Sequence, residues 1–250
     1  MEIIGPLLIS TIAGLSTTLG ALVIFLKIKN QNINKFITFC LSFSIAIMIG
    51  ISITELIPES LFQLLNENWS RGIITSILSF ILGVILIKFF TILIDKQKKN
   101  TTNLYKLGIL SMLALMLHNF PEGIATFLSA YQNMDLGIKL GIAIMLHNIP
   151  EGISIAVPIY YSTGSKKEAI KKAFISGLAE PLGAILAFLL FKNFITDTFI
   201  NIILLLVAGI MITISIEEIY PEVRKYKEYK LFYLGMFVGI VLLLINHFCF

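Results

Sequence analysis

Charge is what this chain has least of. Asp, Glu, Lys and Arg make up 14% of its 250 residues, against 57% hydrophobic, and mean hydropathy is +0.90. A soluble domain carries roughly 25% charged residues, so this one cannot cover a surface with polar groups, and soluble readings are excluded. Cysteine is nearly absent. Cys40 and Cys249 both lie in apolar segments, which rules out a disulfide framework and a Cys-x-x-Cys metal motif. Strict alternation over roughly ten residues does not recur, which excludes a membrane β-barrel. The N-terminus, MEIIGPLLIS, has no basic n-region and no small-residue cleavage site after it, so it reads as a retained first helix rather than a signal peptide.

What is present is a series of apolar runs about 20 residues long, the length needed to cross a hydrocarbon core of about 30 Å. Eight helical spans are expected, at 5–26, 36–57, 72–94, 105–131, 134–160, 168–191, 199–220 and 231–249. Lipid leaves the backbone no partner but itself, so the expected fold class is an all-α integral membrane protein with eight transmembrane helices. Loops 27–35, 95–106, 161–172 and 221–230 hold 15 of the 19 basic residues, and Lys88 lies toward the same side. The opposite loops hold only Arg71, Lys139 and Lys192. The positive-inside rule then places both termini outside the cytoplasm. This topology accounts for the net charge of +4, so no nucleic acid partner is needed. Only 95–103, DKQKKNTTN, resembles a linker, so residues 1–250 are expected to form a single polytopic membrane domain in the lipid bilayer.

Histidine is also scarce, and two of the three histidines open the same hexapeptide, HNFPEG at 118–123 and HNIPEG at 147–152. It is the one clear internal repeat and too local for a solenoid. His and Glu at i and i+4 project from one face of a helix, so His118 with Glu122 makes one half-site and His147 with Glu151 the other. Asn119 and Asn148 flank them and can offer carbonyl oxygens. Pro121 and Pro150 each remove a helical hydrogen bond and free carbonyls beside these residues, so the fourth and fifth spans are expected to kink there. Gly123 and Gly152 permit close helix approach.

Glu122, Glu151 and Glu180 all fall in the middle third of their spans. Each would cost roughly 2.5–3.5 kcal/mol if ionised and unpaired at a helix centre, and no lysine or arginine lies near mid-membrane. A bound cation or protonation must compensate. A lone His on an apolar helix is more often a satisfied core residue, and a lone Glu can be a protonated side chain bonded to a neighbour, but three acids beside a repeated His pattern are not explained that way. Mixed nitrogen and oxygen ligands suit zinc, and also iron(II), cobalt or manganese, better than calcium or magnesium. The expected site is a metal centre at mid-membrane between the fourth and fifth spans. Glu55 near the outer end of the second span, with Glu217 and Glu218 near the inner end of the seventh, are candidate pathway acids. Glu59 and Glu222 lie just beyond them, and ordinary interfacial acids are the competing reading. Ser42, Ser44, Ser52 and Thr54 are candidates for a wet face on the second span.

HNFPEGIATF, HNIPEGISIAVP and GLAEPLGA, in that order on consecutive spans, resemble the ZIP (Zrt-/Irt-like protein) metal transporter family, most of all its bacterial ZupT-type zinc-uptake branch. The resemblance implies a binuclear metal centre, with His118, Glu122, His147 and Glu151 lining one site and Asn119, Glu122, Asn148, Glu151 and Glu180 the other. Both hexapeptide glutamates would bridge. It also implies inward transport. The histidine-rich loop that many members carry between the third and fourth spans is missing from 95–103.

The expected function is therefore divalent metal uptake into the cytoplasm, with zinc as substrate and iron, manganese, cobalt and cadmium as further candidates. No organic cofactor is expected, the chain is not expected to be an enzyme, and the bacterial cell (inner) membrane is the expected location. The sequence leaves association into a homodimer open. An intramembrane zinc-dependent hydrolase is the alternative, although HExxH is absent and no separate general base stands beside the hexapeptides. A passive channel is a third class, disfavoured because the ligand set comes from different helices of one chain rather than from a ring of subunits.

Overall fold

A computed structural model describes residues 3–25, 30–99, 104–191 and 196–249. Lys27, Lys29, Lys192, the end of the first expected span and residues 100–103 of the linker-like loop lie outside the described residues. So do the side chains of Lys96, Lys98, Lys99, Lys106 and Cys249. Among the described residues every regular element is helical. They are α1 (Ile4–Ala21), α2 (Asn30–Ile51), α3 (Ile57–Glu67), α4 (Trp69–Lys99), α5 (Leu104–Gln132), α6 (Met134–Thr163), α7 (Lys166–Gly177), α8 (Ala179–Phe191), α9 (Asp197–Ile214), α10 (Tyr220–Lys225) and α11 (Tyr229–Cys249).

Three junctions join helices end to end. A π-helical segment, Ser52–Leu56, links α2 to α3, and a second, Ser215–Ile219, links α9 to α10. The single residue Leu178 separates α7 from α8. The second expected span was to stop at 57, before Pro58; instead the chain stays helical to Glu67. Pro58 sits in the first turn of α3 and Pro221 in the first turn of α10, where a missing N–H breaks no hydrogen bond. The prolines therefore open new helices instead of ending old ones. Elsewhere caps set the boundaries: Asn133 accepts from Asp135 and Leu136 N–H at the start of α6, and Thr196 accepts from Phe199 N–H before α9.

Seven stretches are long and apolar enough to cross a membrane: Ile4–Phe25, Asn34–Glu67, Trp69–Ile92, Met134–Thr163, Lys166–Leu190, Asp197–Lys225 and Tyr229–Asn246. The remaining rod is α5, 29 residues long. Burial sorts them. In an apolar 18-residue window of each, 67% of residues are buried for the α2–α3, α6 and α9–α10 stretches, against 22% for those of α4 and α11. Large apolar side chains such as Ile81, Ile85 and Phe89 on α4, and Phe237 and Leu244 on α11, face outward. Water would not tolerate that much apolar surface; lipid does. Cys40 is buried and unpaired.

The packing also corrects the expectation of a single repeat. GLSTTLGA at 14–21 and GLAEPLGA at 177–184 match at an offset of 163, and MIGISITELIPE at 48–59 matches MITISIEEIYPE at 211–222 at the same offset. Contacts obey that correspondence. A Cβ on Gly14 would lie 2.3 Å from Gly177 O, and one on Gly177 would lie 2.2 Å from Gly14 O. Gly20 packs on Ile149 O as Gly183 packs on Phe120 O; Gly152 packs on Thr17 O as Gly123 packs on Glu180 O. Between the π segments, Ser52 Oγ donates to Met48 O (2.8 Å) and Met211 Sδ (3.8 Å). Ser215 Oγ donates to Met211 O (2.8 Å) and Met48 Sδ (3.7 Å). A pseudo-two-fold thus exchanges α5 with α6, α1 with α7–α8, and α2 with α9. Scattered matches separated by 163 residues are invisible to a search for contiguous repeats, which is why only the hexapeptide stands out by eye.

Candidate metal centre

Helical spacing brings the hexapeptide side chains to a single buried point. His118, Asn119 and Glu122 come from α5, and His147, Asn148 and Glu151 from α6; all are 0–1% exposed. His118 Nε2 lies 3.0 Å from Glu122 Oε1 and 3.4 Å from Glu151 Oε1. His147 Nε2 lies 3.1 Å from Glu122 Oε1. The imidazole rings are tilted at 44° with centroids 6.3 Å apart. Ligand atoms of His118, His147 and Glu151 fall within 4.8 Å of one another, close enough to share an ion.

The asparagines tie this cluster outward. Asn119, oriented so that its nitrogen donates, reaches Leu115 O (2.9 Å) and Glu151 Oε2 (3.3 Å). Asn148 Nδ2 donates to Ala13 O (2.9 Å) and to Glu180 Oε1. Glu180 is fully buried, in the first turn of α8 immediately after the Leu178 break. That turn is where backbone N–H groups lack helical partners and favour negative charge. Every central residue expected from the sequence is therefore in one cluster: His118, Asn119, Glu122, His147, Asn148, Glu151 and Glu180.

The cluster is short of donors. Glu122 Oε2, Glu151 Oε1, Glu180 Oε2 and Asn148 Oδ1 are buried without hydrogen-bond partners, as are Nδ1 of both histidines. An unsatisfied buried polar atom costs about 1–3 kcal/mol, more when charged. Inward-facing acceptors at this density are what a divalent cation compensates, and zinc accepts both imidazole nitrogen and carboxylate oxygen.

The pathway candidates are placed differently. Glu55 lies in the first π segment and Glu217 and Glu218 in the second, and π turns concentrate at functional positions. Glu55 and Glu218 are two-fold counterparts and both half-buried; Glu217 is exposed and pairs with Lys88 Nζ at 2.8 Å. The hydroxyls of the second span do not form a wet face. Ser42 Oγ bonds Thr38 O (2.7 Å), Ser52 Oγ bonds Met48 O (2.8 Å), and the exposed Thr54 bonds Gly50 O (3.0 Å), all within their own helix. Ser44 is buried and donates to Met48 Sδ. Sequence reading missed the pairing of Glu218 with Glu55, and missed Thr17, which occupies on α1 the place Glu180 has on α8. The offset of 163 is the signal that finds both.

Comparison with known proteins decides the family. The ZIP zinc transporter family matches residues 94–247, more than half of the chain. This chain belongs to the ZIP family. It is 41% identical to the zinc transporter ZupT of Oceanobacillus iheyensis, over 96% of this chain and 95% of that protein. It is 40% identical to ZupT of Chlorobium luteolum, over 96% of each chain, and 36% identical to ZupT of Streptococcus mutans, over 96% of this chain and 95% of that one. With these relatives the chain is a multi-pass membrane protein of a transporter family.

Proposed function

We propose that this ZIP-family protein carries zinc into the cytoplasm across a bacterial cell membrane, as a single polytopic domain of eight spans with both termini outside. The observation that carries the reading is the meeting of both His/Glu half-sites at one buried point where carboxylate oxygens lack partners. His118, Glu122, His147 and Glu151 hold one zinc ion as substrate. Asn119, Glu122, Asn148, Glu151 and Glu180 hold a second, with both hexapeptide glutamates bridging. Iron(II), manganese, cobalt and cadmium fit the same donors with different preference.

The ion's path follows from which helices move together. The glycine contacts bind α1, α5, α6 and α7–α8 into one block around the centre. The α2–α3 and α9–α10 rods, which carry Glu55 and Glu218, pack with α4 and α11 around it. Rocking of the first block against the second gives alternating access. Pro121 and Pro150 lie inside continuous helices, where each leaves the carbonyl four residues earlier, of Leu117 and Leu146, without a helical donor beside the ligands.

No observation favours the hydrolase alternative. The test is stoichiometry. Purified protein should bind about two zinc ions per chain by calorimetry, falling to less than one in Glu122→Ala; a single ion in wild type would overturn the binuclear assignment.

A further inference from the structure

The pseudo-two-fold that relates the hexapeptides has an unmatched position. It carries Asn148 to Asn119, Glu151 to Glu122 and His147 to His118, like for like, but it carries Glu180 to Thr17. The two positions are equivalent in packing. The carbonyl of Glu180 lies against Gly123 of α5, and the carbonyl of Thr17 lies against Gly152 of α6. The Cβ of Glu180 is 3.0 Å from where a Gly14 Cβ would stand, and the Cβ of Thr17 is 3.3 Å from where a Gly177 Cβ would stand. Thr17 is fully buried, and its hydroxyl has no hydrogen-bond partner. Thr11, Thr38 and Thr126 bond the carbonyl one turn back, whereas the hydroxyl of Thr17, like those of Thr18, Ser10, Ser60, Ser129 and Ser176, has no partner. The carboxylate of Glu180 reaches Asn148, and the two-fold counterpart of Asn148 is Asn119.

We propose that Thr17 is the uncharged counterpart of Glu180 in the metal centre, and that it sets how tightly the centre holds its ion. With Thr at 17 the centre has three carboxylates, two on the symmetry-related hexapeptides and one on the α8 side only. The Asn119 side is thereby left neutral. Affinity in oxygen-ligated sites is tuned by the number of charged ligands, and a carrier must release what it binds. A carboxylate at position 17 would complete the two-fold and trap the ion; the existing hydroxyl completes the shell without that charge. This inference rests on the zinc-centre reading above.

The decisive experiment moves the carboxylate across the two-fold. Zinc binding is measured by calorimetry on purified full-length protein in four forms: wild type, Glu180→Thr, Thr17→Glu, and Thr17→Glu/Glu180→Thr, each checked for an intact thermal transition. Glu180→Thr should weaken binding of the second ion by roughly 10- to 100-fold, the range for loss of a supporting group at a metal site. Thr17→Glu should tighten binding and slow zinc release into vesicles. The double variant should regain most of the lost affinity. A folded double variant no tighter than Glu180→Thr overturns the inference, as does a Glu180→Thr protein that binds like wild type. If the double variant does not fold, Thr17→Cys substitutes for it: a thiolate facing the ion should raise the preference for cadmium over zinc on the order of tenfold, and an unchanged preference overturns the inference. Failure of wild type to bind zinc would instead remove the functional reading itself.

Discussion

Two pairs of acids in this molecule are related by the same pseudo-two-fold, and their surroundings differ. Glu122 and Glu151 each follow a proline inside a continuous helix and are 0% and 1% exposed. Glu55 and Glu218 each precede a proline by three residues, within a π turn that ends one helix and starts the next, and are half-buried. Duplication and a nearby proline are common to both pairs, so neither feature marks the candidate metal centre. Burial without compensating positive charge does. The inner pair sits with imidazoles and orphan oxygens, a setting that a bound cation or protonation must compensate. The outer pair is only half-buried, and under the proposed transport reading its acids are steps along the ion's path.

The inner pair should be all-or-none. Glu122→Ala and Glu151→Ala are each expected to lose zinc binding by roughly 100-fold or more and to bring uptake to background. In wild type, zinc at about 100 times its Kd should stabilise the fold by about 2.7 kcal/mol, and neither variant should show that shift in a thermal melt. Retained zinc stabilisation in either would erase the distinction between the two pairs.

The glycines beside the inner pair come next. A Cβ at position 152 would lie 1.8 Å from Thr17 O, and one at 123 would lie 2.0 Å from Glu180 O, both against backbone. Gly152→Ala and Gly123→Ala should each destabilise by about 1–3 kcal/mol through overpacking, to similar extents because the positions are equivalent. A large difference between their melting temperatures would break the two-fold.

Substitution of the outer pair should be milder. Glu55→Gln and Glu218→Gln should slow uptake a few-fold while zinc stoichiometry, read by calorimetry, stays as in wild type. Loss of a bound ion in either would move that acid from the path into the centre. The smallest effect belongs to Lys88 and Glu217, whose side chains are 48% and 46% exposed. A pair this open is worth about 0–1 kcal/mol, so Lys88→Met should leave melting temperature and uptake nearly unchanged; a several-fold fall in uptake would give Glu217 a role the geometry does not.

The sequence made the inner pair legible and the outer pair only partly so, for physical reasons. HNxPEG is compact because one helix turn must present His and Glu on one face beside a proline, and that constraint holds six adjacent residues fixed. The π turns constrain less: Met48, Ser52, Glu55 and Pro58 match Met211, Ser215, Glu218 and Pro221, but the intervening positions drift between Gly and Thr, Thr and Glu, Ile and Tyr. Depth along an apolar run ranks Glu217 ahead of Glu218, because hydropathy counts residues and does not know which side of the helix faces inward. In the structure Glu218 is half-buried and Glu217 exposed. The span expected at 36–57 falls short of Glu67 because an apolar run does not show that Pro58 sits in the first turn of a new helix, where proline is tolerated. Thr17 gives no signal of its own, since a threonine in an apolar helix is commonplace until Glu180 is seen to be its counterpart.

The most direct test of the account is zinc entry into proteoliposomes holding purified wild type, Glu122→Ala or Glu151→Ala, with folding of each confirmed by thermal melt. Saturable zinc entry in wild type, lost in both variants, is the predicted result. Wild-type protein that binds zinc but moves none down any gradient, or a folded variant that still transports, would contradict passage through the paired hexapeptides.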